Sequence, residues 1–231
     1  MERTDGTAPV VHTHMLPAHA RLAATYDALA PRRQQIIARL GYPQAYANLV
    51  RQLRRDGWFA GLSADARMLD CGIGTGALSV ALLQHLPFQQ IDGVDIAPRM
   101  LDEAAHRLQT AGVTLHAHIN DIQALPFDDA TFDLVVSAHA LEHLPNFAAG
   151  VRELVRVARP GAVMLLIMTR PGLGGAVIQA RWGITCTPTT TVQRRLVELG
   201  IAPVCRYEFN ARWCRHCSFV LVGLKCKRML A

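Results

Sequence analysis

No stretch of this 231-residue chain is apolar for long enough to cross a bilayer. The most continuous run, GAVMLLIM from Gly161 to Met168, covers eight residues, where a helical span needs about 20. The opening residues include Glu2, Arg3 and Asp5 and lack the apolar stretch of a secretory signal, so a cytoplasmic protein with no transmembrane segment is expected. Charged residues are scarce at 18%, and no block is low in complexity, which argues against a disordered chain. Apolar residues make up 51%, enough for one large α/β core or at most two small ones. The net charge of +6 is not concentrated. Its densest clusters, RQLRRDG at Arg51 to Gly57 and KCKR at Lys225 to Arg228, are short and carry no interleaved aromatics, so a solvated surface is expected rather than a nucleic-acid stripe. The six cysteines include a CxxC at Cys214 and Cys217 with His216 inside it. Zinc needs four converging ligands, yet WCRHCSFVLVGLKC reads as a strand, whose residues three apart face opposite ways. Reduced thiols and no metal site are expected.

What is present divides in two. Residues 1–60 read as an N-terminal helical cap, its first fifteen or so residues polar, proline-spotted and expected to be poorly ordered. Its helical segments are HARLAATYDALA, PRRQQIIARLG with Pro31 in a first turn and Gly41 at the end, and QAYANLVRQLRRDGWF. In residues 61–231 short apolar strands alternate with amphipathic helices: RMLDC, ALSVALLQHL, QQIDGVDI, PRMLDEAAHRLQTAG, VTLHAHIN, TFDLVVSA, FAAGVRELVRVARPG and AVMLLIMT. This alternation predicts a doubly wound, mostly parallel α/β sheet. Beyond it come a glycine-rich segment at about 170–190, read as a short helix or lid, and PTTTVQRRLVELG, a helix capped by its threonines. The runs APVCRYEFN and CSFVLVGLK, parted by a few residues that begin ARW, predict a terminal antiparallel hairpin.

The loop LDCGIGTG, Leu69 to Gly76, follows the first strand of this unit. Gly72, Gly74 and Ala77 satisfy a loose dinucleotide fingerprint, which alone is weak. Asp70 stands at the strand end, however, and Gly72, Gly74 and Gly76 alternate strictly, leaving backbone open to a bulky ligand. From about Arg67 to Lys225 the chain resembles the class I S-adenosylmethionine-dependent methyltransferases, most closely their quinone-biosynthesis and small-molecule group, whose first motif is an acidic residue followed by GxGxG. GVDIAPRML resembles the second motif, with Asp95 nineteen residues after Gly76. NDIQALPFDDATFDLVVS resembles the third and fourth. The resemblance implies a seven-stranded Rossmann-like sheet and a cofactor, S-adenosylmethionine, left as S-adenosylhomocysteine. It implies that Asp95 binds both ribose hydroxyls beside Ile96, that Asp121 accepts from the adenine amino group, and that Ile122 packs on the ring. Taken singly, Asp95 could instead cap a helix and Asp121 serve a turn.

SAHALEHLPN, after the fourth strand, would border the acceptor. Ser137 and Ala138 are candidate cofactor contacts, and His139 is a candidate base or substrate-positioning group. His143, four residues on, is a weaker candidate or a structural histidine. Tyr26, in TYDALA, resembles the segment with which such enzymes close their site, and would otherwise be a core tyrosine. Trp58 and Phe59 read as an anchor onto the sheet. The expected activity is transfer of a methyl group to a small-molecule acceptor such as a secondary metabolite, quinone or lipid precursor. An RNA or protein methyltransferase is the alternative, although no NPPY-type motif follows strand four. A non-catalytic module that binds the cofactor is another.

Overall fold

The computed structural model describes residues 11–12 and 17–227. The expected disorder of the first fifteen residues lies outside these, apart from a two-residue strand, β1 (Val11–His12), paired with β4 (Thr114–Ile119). Helices α1 (Pro17–Arg39) and α2 (Tyr42–Arg55) follow. The α/β unit then runs β2 (Met68–Cys71), α3 (Ala77–Leu83), β3 (Gln90–Asp95), α4 (Pro98–Thr110), β4, β5 (Phe132–Ala138), a 3-10 turn at Leu141–His143, α5 (Phe147–Val157) and β6 (Ala158–Thr169). It ends with α6 (Leu173–Trp182), α7 (Thr189–Glu198), β7 (Ile201–Tyr207), α8 (Arg212–Cys217) and β8 (Ser218–Lys225).

The strands lie in the order β1-β4-β3-β2-β5-β6-β8-β7. All neighbours are parallel except β8, which runs antiparallel to both β6 and β7, giving the expected hairpin at one edge. Strand alternation sorts the core into two layers. Met68, Leu134, Leu165 and Ile167 face α2, α3 and α4, while Leu69, Val135, Met164 and Leu166 face α5 and α7. β6, apolar on both faces, is therefore sandwiched, as its unbroken run AVMLLIM demands. Because β2 lies inside the sheet, the chain winds outward from it through β3 and β4, then returns to its other side at β5. The crevice between the C-terminal ends of β2 and β5 is the switch point at which open sheets take ligands.

Several local expectations are corrected. α1 continues through Pro31, although proline lacks the N–H that would bond Asp27's carbonyl. Tertiary contacts hold the helix together: Ala30 is buried against Ala97 and Met100, and Asp27 accepts a hydrogen bond from the Arg99 N–H at 3.0 Å. That bond caps α4, whose own N-cap, Ala97, has no side chain able to do so. The N-cap of α7 is Pro188, so no threonine side chain caps the helix. Cys214 and Cys217 lie on α8 rather than a strand, both fully buried, and the six cysteines are free thiols. A one-turn helix is the connection that lets β8 reverse between β7 and β6, and its CxxC spacing suits one buried helical face. Among the described residues no three histidine, cysteine or acidic side chains converge as metal ligands. No helix of these residues is long and apolar enough to cross a membrane.

Candidate functional site

The chain turns sharply after β2. The Gly72 and Ile73 amides both donate to the Val94 carbonyl of β3, at 2.7 and 3.0 Å, pinning the loop across two strand ends. Gly72 has φ +73°, and a β-carbon there would stand 2.1 Å from the Ala140 β-carbon, so only glycine fits between this loop and the turn after β5. Gly74, at φ +53°, has nothing within 4 Å of where a β-carbon would point, and it faces a cavity. Asp95, at the tip of β3, accepts from the Gly74 amide at 2.9 Å and the Ala97 amide at 3.0 Å. Burial raises its pKa, and the two amides oppose that rise. Asp121, past β4, accepts from the Gln123 amide at 2.9 Å.

Gly72, Gly74, Asp95, Ile96, Asp121, Ile122 and Ala138 all line this one cavity. Three other expected cofactor contacts lie behind its wall. Asp70 is buried beneath the loop, where Ser79 donates to one oxygen at 2.6 Å and the other has no partner. Burial pushes its carboxyl up to about 7, against the pull of the Ser79 bond. Gly76 opens α3 against Ala104 of α4. Ser137 is buried and donates to the Cys71 carbonyl at 2.8 Å, tying β5 to β2. None of the three is among the residues that line the cavity.

The opposite wall is built by the segment after β5 and by the cap. His139 has φ +56°, a conformation rare outside glycine, held by its amide bond to the Ile167 carbonyl at 2.8 Å. This turns its ring into the cavity. Nδ1 lies 3.2 Å from Glu142 Oε1 and 3.3 Å from Thr169 Oγ1, and Nε2 lies 3.4 Å from Ser218 Oγ. Glu142, not singled out in the sequence, is 3% exposed and also accepts from the Thr169 amide and hydroxyl, at 3.1 and 2.8 Å. Burial pushes Glu142 upward, but the bonds from His139 and Thr169 and the neighbouring histidine charge outweigh it, so its pKa falls below the usual range. A buried carboxylate next to an imidazole is the second half of an acid–base pair. Its signal in the sequence is the EH dipeptide at Glu142 and His143.

His143 instead joins the cap. Its Nε2 shares a 2.8 Å hydrogen bond with the Tyr26 hydroxyl, and burial pushes it down to about 4. Tyr26 stacks on Trp182 of α6 at 6.2 Å, and the Arg33 guanidinium lies over both rings, 5.5 and 5.6 Å away. Cap, post-β5 turn and lid helix therefore meet at Tyr26. Gln34 accepts from Thr75 of the glycine loop and from Arg107 of α4, at 3.2 and 2.6 Å, and fixes the cap over the loop. Away from the loop the wall is mostly apolar, with Ile36, Ile37, Tyr46, Ile178 and Ile184.

The residues fit an adenosylated cofactor. Gly74 leaves open space where a side chain would stand, and carboxylates at two successive strand ends alternate with the apolar Ile96 and Ile122. Comparison with known proteins agrees. Residues 69–166 match the methyltransferase domain family. The chain is 32% identical over 132 residues to the demethylmenaquinone methyltransferase of Deinococcus radiodurans, a match covering 53% of this chain and 55% of that one. It is 31% identical over 123 residues to the 2-methyl-6-phytyl-1,4-hydroquinone methyltransferase of Synechocystis sp., covering 53% and 38%. The chain thus spans about half the length, or less, of these curated relatives. In fold it is similar to the magnesium protoporphyrin IX methyltransferase of Synechocystis, solved with bound S-adenosylhomocysteine, at TM-score 0.69 and 20% identity, over 90% of this chain and 99% of that one. It is also similar to geranyl diphosphate C-methyltransferase of Streptomyces coelicolor, at TM-score 0.71 and 11% identity, over 91% and 98%. With the motifs in order along the matched segment and the sheet closed by its antiparallel strand, residues 69–166 of this chain belong to the methyltransferase domain family.

Proposed function

We propose that this protein transfers a methyl group from S-adenosylmethionine to a small, largely apolar acceptor carrying an acidic hydroxyl, with His139 as the base. The observation that carries this reading is the His139–Glu142 pair on the wall of a cavity that is otherwise apolar beyond the cofactor residues. When bound, the cofactor supplies an electrophilic methyl on its sulfonium. The chain does the rest. Asp95 and Asp121 would hold the ribose and adenine, and the glycine loop would admit the methionine portion against bare backbone. His139 Nε2 would take the proton of the acceptor hydroxyl as that oxygen attacks in line. Glu142, bound to Nδ1, would fix the ring and offset the imidazolium charge. Tyr26 and Trp182 would keep water out. The cap and lid over the cavity favour a small acceptor over RNA or protein, which would need an open face. The quinol-type acceptors named for the relatives are compatible with these walls.

The test incubates purified full-length chain with S-adenosylmethionine carrying a labelled methyl group and a panel of phenols and quinols. Wild type is expected to bind S-adenosylhomocysteine and label a panel member, and Asp95→Ala to weaken binding at least about tenfold. His139→Ala is expected to lower kcat by about 10²-fold or more while leaving cofactor affinity intact. Unchanged turnover would remove His139 as the base. Label appearing in RNA or protein instead would transfer the reading to a macromolecular acceptor, and binding without any transfer would leave a cofactor-binding module.

A further inference from the structure

Among the described residues, five large apolar side chains are conspicuously exposed, and four belong to the elements that frame the cavity mouth. Leu173 (92% exposed) and Val177 (66%) lie one turn apart on α6, whose other side sends Ile178 and Trp182 into the cavity. Trp213 of α8 (44%) and Leu40 after α1 (37%) stand on the cavity wall itself and are half in solvent. The helices are packed together: a β-carbon on Gly174 would come within 2.7 Å of the Cys217 sulfur, and the Cys214 thiol reaches the Leu40 carbonyl at 3.6 Å. Buried packing explains the inner sides of α6 and α8 and leaves Leu173 and Val177 without a role in the fold.

Charge on the same helices points to an occupant. Arg39 ends α1, Arg181 lies in the last turn of α6, and Arg212 and Arg215 lie on α8, all exposed. None of the four has a carboxylate partner among the described residues, whereas Arg170 and Arg206 close by share the carboxylate of Glu208. Apolar side chains rimmed by unpaired arginines are what a helix lying in a lipid interface presents.

We propose that α6, α8 and the end of α1 form a docking face for an anionic lipid bilayer, with the cavity mouth opening toward the membrane. Leu173 and Val177 enter the acyl boundary, Trp213 sits at headgroup level, and the arginines meet lipid phosphates. An acceptor dissolved in the bilayer then reaches the cavity without crossing water. The docking face goes beyond the proposed transfer and stands apart from it, since binding is read with neither cofactor nor acceptor present.

The full chain is sedimented with phosphatidylcholine–phosphatidylglycerol vesicles and with pure phosphatidylcholine vesicles. Binding to the anionic vesicles is expected, falling in high salt. Leu173→Ser combined with Val177→Ser is expected to weaken it about tenfold, and Arg212→Gln and Arg215→Gln about fivefold each at low salt. All four positions are exposed, so melting temperature and S-adenosylhomocysteine affinity should match wild type and exclude misfolding as the cause. Failure to bind anionic vesicles overturns the proposal, as does a double serine variant that binds as wild type does. A dimer in solution that the serine pair abolishes, without vesicle binding, would assign the face to a second copy of the chain and overturn it equally.

Discussion

Two glycines of the loop do different work, and alanine separates them. At Gly72 the added β-carbon collides with Ala140, and the backbone is left-handed, so Gly72→Ala should cost about 2–4 kcal/mol in urea unfolding through overpacking and strain together. At Gly74 the space is open, so Gly74→Ala should cost only about 1 kcal/mol of backbone strain while lowering cofactor affinity, because the methyl points where the ligand would lie. Equal losses of stability at both positions would contradict this division. The sequence marks the three alternating glycines alike; the neighbour that distinguishes Gly72 is Ala140, far along the chain in the turn after β5. His143 carries a pH prediction. Its folded pKa, about 4, lies below the ordinary 6.5, so the unfolded chain takes up a proton that the folded chain refuses. Its contribution is fully present above pH 6.5 and is lost as pH falls toward 4, by up to about 3 kcal/mol. His143→Gln should therefore flatten the acid side of the stability profile between pH 6.5 and 4, and an unaltered slope would mean that the histidine is not buried in its neutral form.

Elements were legible where periodicity alone decides them. The parallel strands and α3, α4 and α5 fall within a few residues of their apolar patterns because each buries one face or both. The departures lie where a distant residue overrides the local signal. Pro31 signals a helix break, and α1 ignores it because Asp27 and Ala30 are engaged by α4. WCRHC looks strand-like beside SFVLVGLK, and its helix exists because β8 must enter between two strands already in place. The role of Glu142 is not legible in the sequence because its partners come from two separate places, His139 just past β5 and Thr169 at the end of β6. The α1–α4 junction can be tested directly. Asp27→Ala removes the only side-chain bond to an α4 amide among the described residues, which should cost about 1 kcal/mol. Amide exchange should accelerate in residues 17–39 and in the first turn of α4, leaving β5 and β6 unaffected. Uniform acceleration across the sheet would mean that the cap does not open as a separate unit.

At the scale of the molecule, the cavity belongs to no single element. Its floor is the β2–β3 edge and its far wall the turn after β5, while Tyr26 comes from α1 and Trp182 from α6, and the two stack above both. A ligand held by Asp95 and enclosed by that stack touches floor and roof together. It therefore favours the closed arrangement of α1 and α6 by whatever affinity it gains from the closure. Adding S-adenosylhomocysteine at about 100 times its dissociation constant should stabilise the chain by about 2.7 kcal/mol. Amide exchange should slow in α1 and α6 as well as in the glycine loop. Trp182→Ala should divide this response: the loop stays protected, because Asp95 and Gly74 still meet the ligand, while α6 and the N-terminal half of α1 regain their free exchange rates. Protection confined to the loop in wild type would show that the roof closes without regard to the cofactor. In that case the Tyr26–Trp182 stack would be set by the fold alone, and the exclusion of water from the methyl group would not depend on cofactor binding.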